Sequence, residues 1–154
     1  MTEALTPADM GIPNYEGTYL EFLDFRIVAA RPGYVRMCMP LGKVHTNTLG
    51  MAHGGIIMSM LDIAAAFAAH GGERGSEVSV TMTQSTNFMR AVTGDTLYAE
   101  GRLTRRAGRT AFTQSTVFDP SHGDDEDSQI CATAQCTFKL RPRDPSPVGD
   151  GGAT

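Results

Sequence analysis

The sequence predicts an α+β fold in which a curled antiparallel β-sheet wraps around one long central α-helix. Most of the chain shows the alternating, β-branched pattern of strands, and a single long segment has apolar residues at spacings of three and four. The strand segments follow each other without the crossovers that parallel strands need. Because the helical segment is apolar on most of its circumference, we expect it to be buried on more than one side.

The chain begins with a lead-in and a predicted hairpin. Residues 1–18 are rich in proline, glycine and polar types, so we predict a flexible lead-in there. The segment 19–28 mixes helical and strand signals and ends as a strand. After the turn "RPG" at 31–33, the segment 34–40 alternates until Pro40 stops it, which indicates a second strand paired with the first.

A loop over 41–52 leads to the predicted helix, which begins at Gly54. Its apolar residues at helical spacing are Ile56, Ile57, Met60, Leu61, Ala64, Phe67 and Ala68. Three consecutive alanines in this segment add strong helix formers. We expect His70 and the two glycines at 71–72 to end the helix.

Four more strands complete the predicted sheet. We place them at 77–89, 97–107, 110–119 and 130–140. A polar acidic loop, "PSHGDDEDSQ", separates the last two, and we interpret it as a solvated hairpin connection. The domain is therefore predicted to cover residues 19–141, and the proline- and glycine-rich residues 142–154 are expected to form a disordered tail.

Length and composition exclude several classes of protein. The chain has 154 residues, 19% charged and 41% hydrophobic, which suits one globular domain. A net charge of -4 without a basic stripe argues against nucleic acid as a partner. No apolar run is long enough to span a bilayer, and no secretory signal is visible. Three cysteines without a C-x-x-C pair are expected to be small buried residues, so we predict a cytoplasmic protein that does not bind membranes.

The start of the helix carries the first candidate functional groups. Backbone N–H groups at a helix N-terminus are unpaired and lie at the positive end of the dipole, so they favour negative charge. Gly54 and Gly55 have no side chains there, and a substrate carbonyl could approach the backbone as in an oxyanion hole. The same glycines also suit a simple tight turn into the helix, so this pattern alone leaves both interpretations open.

Asp62 is the second candidate, an acid between Leu61 and Ile63 in an apolar segment. An unpaired carboxylate is costly there, although Asp62 could also face solvent from the narrow polar side of the helix. Gly54 lies eight residues before Asp62, which is roughly 12 Å along a helix that rises ~1.5 Å per residue. One small carbonyl cannot touch both. If both act on one substrate, the acid comes from a second, antiparallel helix, and a twofold dimer would contain two such composite sites.

The spacing of these residues resembles the signature of the hotdog-fold thioesterases of the PaaI-like (phenylacetyl-CoA thioesterase) group. The signature N-x-x-G-x-x-H-G-G followed by L-D-x-A is present here as Asn47, Gly50, His53, Gly54, Gly55, Leu61, Asp62 and Ala64. The resemblance extends over roughly residues 20–140, including "NFMRAVTGDTLYAEGRL" and the closing "ATAQCTFKL". It implies a hotdog fold, hydrolysis of an acyl-CoA thioester, and no cofactor, since CoA is part of the substrate.

The resemblance also implies a role for each matching residue. Asp62 matches the catalytic carboxylate, which acts as a general base on water or as a nucleophile. The N–H groups of Gly54 and Gly55 would polarise the thioester oxygen. Asn47 would orient the nucleophile or the carbonyl from its loop. His53 is expected to shape the start of the helix and to support the site, not to act as the base.

Residues on the strands complete the expected site. Thr81 aligns with a serine or threonine of the family that assists the attacking water beside the acid. The phosphates of CoA need cations at the surface, and the candidates are Arg90, Arg105, Arg106 and Arg109. Three of them surround the turn "RRAGR" and also suit an ordinary charged hairpin. We expect a homodimer with composite active sites that assembles further into a dimer of dimers.

Three other classes of protein compete with this hypothesis. A zinc site from His45, His53 and Asp62 matches no compact ligand spacing. A non-catalytic acyl-CoA or acyl-carrier-binding hotdog protein, acting as a ligand sensor, is the main alternative, although such regulators usually carry a DNA-binding segment for which residues 1–19 are too short. A hotdog dehydratase would need an H-x-x-x-x-G-x-P type of helix entrance, which the sequence lacks.

Overall fold

The alternating segments of the sequence pair into one antiparallel sheet in a computed structural model, which describes residues 4–6, 9, 12, 14–70 and 77–143. The strands are β1 (Arg26–Arg31), β2 (Tyr34–Pro40), β3 (Glu77–Phe88), β4 (Thr96–Ala107), β5 (Thr110–Phe118) and β6 (Ile130–Pro142). The helices are α1 (Tyr19–Leu23), α2 (Gly54–Ala69) and α3 (Glu126–Gln129), and two 3₁₀ turns lie at Lys43–His45 and Pro120–His122. The strand order is β1-β2-β4-β5-β6-β3, and the sheet curls around α2. The predicted hotdog fold is confirmed.

The long helix lies against the middle of the sheet at van der Waals distance. Ala64 and Ala65 of α2 are fully buried, and they face Gly101 on β4. A Cβ atom at Gly101 would lie 2.0 Å from the carbonyl oxygen of Ala64. Only glycine therefore permits this approach, and small residues on both elements set the distance between the helix and the sheet.

The helix is buried on most of its circumference, as its composition predicts. Its buried residues are Ile56, Ile57, Met60, Leu61, Ile63, Ala64, Ala65, Ala68 and Ala69. One stripe is different, because Gly55 and Met58 are exposed and Asp62 is half-buried. This stripe faces the groove between α1 and β3, and it contains the residues that the sequence singles out.

The two edges of the sheet differ in how they are covered. At the β1 edge, Leu5 forms a two-bond bridge with Ile27, with N–H···O distances of 3.0 and 2.7 Å. At the other edge, the 12 residues of β3 pair only with β6 among the residues that the structure describes. Val80, Met82 and Phe88 on β3 are 42%, 62% and 53% exposed. A long open edge with exposed apolar side chains is a surface on which another strand can pair.

The structure refines several predicted segments. The segment 19–28 divides into α1 and β1 at Asp24, which has a left-handed φ of 45°. The acidic loop contains α3, because the Asp125 carboxylate accepts a hydrogen bond from the Ser128 N–H at 2.8 Å and caps the helix. Two of the three cysteines are buried as predicted, whereas Cys38 is only half-buried.

Some predictions fall on parts of the chain that the structure does not describe. The glycines at 71–72 lie there, as do most of the predicted tail and part of the predicted lead-in. The domain boundaries at 19 and 141 stay a prediction. Within the described ranges, no helix is both long and apolar enough to cross a membrane.

Candidate active site

The first residue before α2 acts as its cap. His53 Nδ1 accepts a hydrogen bond from the Gly55 N–H at 2.9 Å, and this contact satisfies one of the unpaired donors of the first turn. The His53 N–H in turn bonds the carbonyl oxygen of His45 at 2.8 Å, which fixes the entry of the chain. Because Nδ1 is used as an acceptor, this geometry suits the supporting role predicted for His53.

The two glycines at the start of α2 are therefore not equivalent. The Gly55 N–H is already bonded to His53, so this structure does not present it to a substrate. No described residue accepts a hydrogen bond from the Gly54 N–H. Phe88 of β3 lies beside Gly54, since a Cβ atom there would be 3.6 Å from its ring. Of the two predicted oxyanion donors, Gly54 is the one whose N–H is open.

Asn47 lies in the loop before the helix and holds a turn. Its Oδ1 accepts hydrogen bonds from the N–H groups of Leu49 at 2.9 Å and Met51 at 3.2 Å. A bridge between Thr46 and Ala52 closes the loop around it. With Oδ1 used in this way, the side-chain amide nitrogen is the part of Asn47 that could reach a substrate.

Asp62 is paired with the predicted threonine. The Thr81 hydroxyl donates a hydrogen bond to Asp62 Oδ1 at 2.9 Å, which links α2 to β3. Burial raises the pKa of Asp62 above its ordinary value, and the hydrogen bond from Thr81 opposes this shift only in part. The structure thus places an acid with a raised pKa next to a hydroxyl group, as expected for a functional carboxylate.

An open groove of about 360 Å³ lies beside Asp62. We call it the Asp62 groove, and it is lined by Tyr19, Leu20, Met58, Ser59, Asp62, Ile63 and Gln84. The Ser59 hydroxyl donates to the Gly55 carbonyl oxygen at 2.8 Å, so the Tyr19 hydroxyl, 3.0 Å away, donates to Ser59. The groove combines apolar walls with a few fixed polar atoms, which would suit an acyl group next to the Asp62 carboxylate.

Gln84 is a groove residue that no pattern in the sequence singles out. Strict alternation along β3 would place it on the opposite face from Thr81. A β-bulge between Thr81 and Thr83 changes the register, so that Thr81 pairs with Phe138 and Gln84 pairs with Cys136. Both partners are buried inward-facing residues of β6. Alternating patterns do not reveal a bulge, and no other signal in the sequence marks it.

The four predicted CoA-binding arginines lie in two places. Arg90 follows β3 near the start of α2 and donates to the Ser128 carbonyl oxygen at 2.6 Å. Arg106 on the β4–β5 hairpin forms a two-point ion pair with Glu77, at 2.8 and 2.9 Å, close to the end of α2. Arg105 and Arg109 on the same hairpin are exposed, and neither forms an ion pair with a described residue.

One group of potential metal ligands lies away from this groove. Ligand atoms of Asp119, His122 and Cys131 are within 4.8 Å of one another. The buried Asp119 carboxylate already accepts backbone N–H bonds from Thr93, Gly94 and Ser121 at 2.8 to 2.9 Å. Burial raises its pKa, but these bonds together outweigh burial and lower the pKa. Asp119 therefore connects two loops, and its oxygens have little capacity left for a metal.

Within one chain, the two halves of the candidate site stay apart. His53, Gly54 and Gly55 lie together at the start of α2, with Asn47 in the loop before them. Asp62 lies two turns further along α2, roughly 12 Å from Gly54 by the rise of a helix. Thr81 lies beside Asp62 on β3. The structure brings together Asp62 with Thr81, and His53 with the glycines, but not the acid with the open N–H.

Comparisons with known proteins show the family to which the chain belongs. Residues 49–125, half of the chain, match the family described as the Thioesterase superfamily. A protein of Archaeoglobus fulgidus named "Putative esterase" is 34% identical over 94 residues, which cover 59% of this chain and 58% of that one. The chain spans just over half the length of the curated relatives it matches.

Solved structures share the fold. Zebra fish thioesterase superfamily member 2 has a TM-score of 0.71 at 22% identity, over 88% of this chain and 91% of that one. The protein smu.793 of Streptococcus mutans, solved bound to acetyl-CoA, has a TM-score of 0.67 at 24% identity, over 79% of this chain and 92% of that one. The family match covers the start of α2, Asp62 and Thr81, and the chain belongs to the Thioesterase superfamily.

Proposed function

We propose that this protein hydrolyses acyl-CoA thioesters to the free acid and CoA, with Asp62 as the catalytic carboxylate. The position of Asp62 carries the proposal: it is a half-buried acid at an open groove, its pKa is raised by burial, and Thr81 is bonded to it. A raised pKa makes a carboxylate a better proton acceptor near neutral pH. Membership of the Thioesterase superfamily supports the choice of a thioester as the substrate.

Asp62 can act on a thioester in two ways. As a general base it takes a proton from water, whose oxygen attacks the carbonyl carbon. As a nucleophile it attacks that carbon itself, and water then hydrolyses the acyl-enzyme. In both routes negative charge develops on the carbonyl oxygen, the C–S bond breaks, and CoA leaves as the thiol. The open N–H of Gly54, at the positive end of α2, is suited to stabilise that charge.

A homodimer with composite active sites would join the two halves. The exposed Met58 lies midway between Gly54 and Asp62 on the open stripe of α2. A twofold axis opposite Met58 would place Gly54 of one subunit against Asp62 of the other. The open edge of β3, with exposed Val80 and Met82, offers a surface for the same contact. A further pairing of such dimers stays a prediction.

CoA is the carrier that we propose for the acyl group. The structurally similar protein of Streptococcus mutans is bound to acetyl-CoA. In this chain, Arg105 and Arg109 are exposed cations without an ion-pair partner among the described residues. An antiparallel dimer would bring this hairpin of one subunit towards Arg90 of the other, on the same side as the composite site. Arg106 is compensated by Glu77, so we expect it to contribute less to phosphate binding.

The test measures hydrolysis of a panel of aromatic and straight-chain acyl-CoAs, and the released CoA thiol is the quantity detected. We expect turnover by the natural protein and a loss of about 10²- to 10⁴-fold in kcat for Asp62→Asn, because the proton acceptor is removed. Asp127→Asn on α3 changes an exposed aspartate and should leave turnover unchanged. Equal kcat for the Asp62→Asn variant and the natural protein would exclude Asp62 as the catalytic group.

Binding measurements separate this proposal from the ligand-sensor alternative. Titration calorimetry with a non-hydrolysable acyl-CoA analogue should show binding by both the natural protein and the Asp62→Asn variant. If the natural protein binds the analogue but hydrolyses no member of the panel, the non-catalytic acyl-CoA-binding function replaces the proposed one.

A further inference from the structure

Two hydrogen bonds fix the orientation of the Gln84 side chain. Its Nε2 donates to the Met58 carbonyl oxygen at 3.1 Å and lies 3.0 Å from the Thr86 hydroxyl. A carbonyl oxygen can only accept, so the amide nitrogen must be the atom that faces α2. The Gln84 Oε1 consequently points away from this carbonyl, and no described residue donates a hydrogen bond to it.

This amide and Asp62 meet at the same carbonyl group of α2. In an α-helix the N–H of residue i bonds the carbonyl oxygen of residue i−4, so the Met58 carbonyl is the acceptor of the Asp62 N–H. Gln84 bonds the same carbonyl from β3. The bulge after Thr81 puts the side chains of Thr81 and Gln84 together on the inner face of this strand. Gln84 and Asp62 line the same groove.

Two acceptor atoms of groove-lining residues consequently receive no hydrogen bond from the part of the chain that the structure describes. Thr81 occupies Asp62 Oδ1, which leaves Oδ2 of the carboxylate and Oε1 of Gln84. A water molecule has two O–H donors and two lone pairs. When both donors point at these acceptors, a lone pair of the water oxygen is left for attack on a carbonyl carbon. A single acceptor would hold the water in many orientations, whereas two acceptors fix one.

On the basis of the proposed function, we infer that Gln84 is a further catalytic residue, which binds and orients the attacking water together with Asp62. In the step, one O–H bond of the water breaks and its proton passes to Asp62 Oδ2. The water oxygen forms a bond to the thioester carbon. The tetrahedral intermediate then expels the CoA sulfur, and the proton held by Asp62 passes to this sulfur. Gln84 Oε1 keeps the second hydrogen of the water during the attack.

The first test compares Gln84→Met with Gln135→Met. Methionine keeps the length of the side chain but has no amide oxygen, and Gln135 is an exposed residue on the outer face of β6. We expect kcat of Gln84→Met to fall about 10- to 100-fold with KM within about threefold, since the water loses its fixed orientation while acyl-CoA still binds. Gln135→Met should keep the natural kcat. Unchanged kcat in a folded Gln84→Met variant would overturn the inference.

A second variant reports the proximity of the two groups and does not depend on the folding of the first. Gln84→Glu places a carboxylate beside Asp62, and two neighbouring like charges raise the pKa of one of them. The acid limb of the pH profile of kcat/KM should therefore move to higher pH in Gln84→Glu. An unmoved limb would overturn the inference, because it would mean that the side chain at position 84 does not lie beside the carboxylate that carries the activity. If the natural protein shows no turnover, the proposed function itself fails. This outcome differs from an unchanged kcat in Gln84→Met and from an unmoved acid limb in Gln84→Glu, which overturn only the role of Gln84.

Discussion

At the scale of single residues, the buried carboxylate of Asp62 makes the folded chain less stable at neutral pH. Burial raises its pKa above the ordinary value of 3.8. The folded state therefore holds the Asp62 proton more tightly than the unfolded state does. Stability from this group is present below the ordinary pKa and is lost as pH rises through the raised one. A carboxylate whose burial is costly for folding and raises its pKa is typical of a functional residue.

Thr81 controls this pKa in a way that can be measured. Its hydroxyl stabilises the charged carboxylate and lowers the pKa of Asp62. In Thr81→Val the pKa of Asp62 should rise further. Since the base works only when deprotonated, activity should be lost at a higher pH as the solution is acidified. The pH profile of kcat/KM should show its acid limb displaced upward.

The neighbouring Thr83 provides the control for this prediction. It is exposed on the same strand, and the bulge turns it away from Asp62. Thr83→Val changes the same atoms and should leave the acid limb where it is in the natural protein. Identical acid limbs for the two variants would mean that Thr81 does not influence the active carboxylate.

At the scale of elements, the contact between α2 and β4 determines where Asp62 lies. Gly101→Ala would put a Cβ atom 2.0 Å from the Ala64 carbonyl oxygen, so the helix must move away from the sheet. Overpacking against a backbone atom should lower the free energy of unfolding by about 3 kcal/mol, measured by urea denaturation. The same shift should weaken the contact between Asp62 and Thr81 and reduce kcat.

A matched glycine tests whether this effect comes from the close approach. Gly42 has an extended φ of -105°, and a Cβ atom there would find its nearest neighbour at 3.9 Å. Gly42→Ala should change the free energy of unfolding by less than about 0.5 kcal/mol. A similar loss of stability in both variants would contradict the idea that Gly101 sets the distance between helix and sheet.

Much of this architecture could be predicted from the sequence, and the exceptions have clear physical causes. The apolar spacing from Ile56 to Ala68 identifies α2, because one helix face repeats every 3.6 residues whatever it packs against. The pairing of Thr81 with Asp62 was predicted from the resemblance to the thioesterase family, in which a serine or threonine lies beside the acid. The bond from Gly55 to His53 did not, since side-chain capping depends on a rotamer. The position of Gln84 could not be predicted either, because a bulge shifts every later residue of β3 to the opposite face.

At the scale of the whole molecule, the candidate site is split along one helix. The open N–H of Gly54 and the carboxylate of Asp62 face the same side of α2 but lie two turns apart. Exposed apolar side chains lie on this side of the molecule, in the stripe around Met58 and along the open edge of β3. An antiparallel second copy would cover both and complete two sites at once.

Mixed dimers test this assembly directly. Asn47→Ala damages the start of the helix, where Asn47 holds the loop through Leu49 and Met51, and Asp62→Ala removes the acid. Each variant alone should be nearly inactive. After equal amounts are unfolded together and refolded, half of the dimers should contain one chain of each kind. In these dimers one site combines both changes and the other has neither, so about a quarter of the natural activity should return.

The matched mixture combines Asp62→Ala with the double variant Asn47→Ala/Asp62→Ala. It forms mixed dimers in the same proportion but contains no intact acid, so its activity should stay at the level of Asp62→Ala alone. Recovery that appears only in the first mixture means that Asn47 of one chain works with Asp62 of another. If the first mixture gains nothing over its separate components while chains with two different affinity tags co-purify as mixed dimers, each chain contains its own complete site, and the composite arrangement around Met58 is wrong.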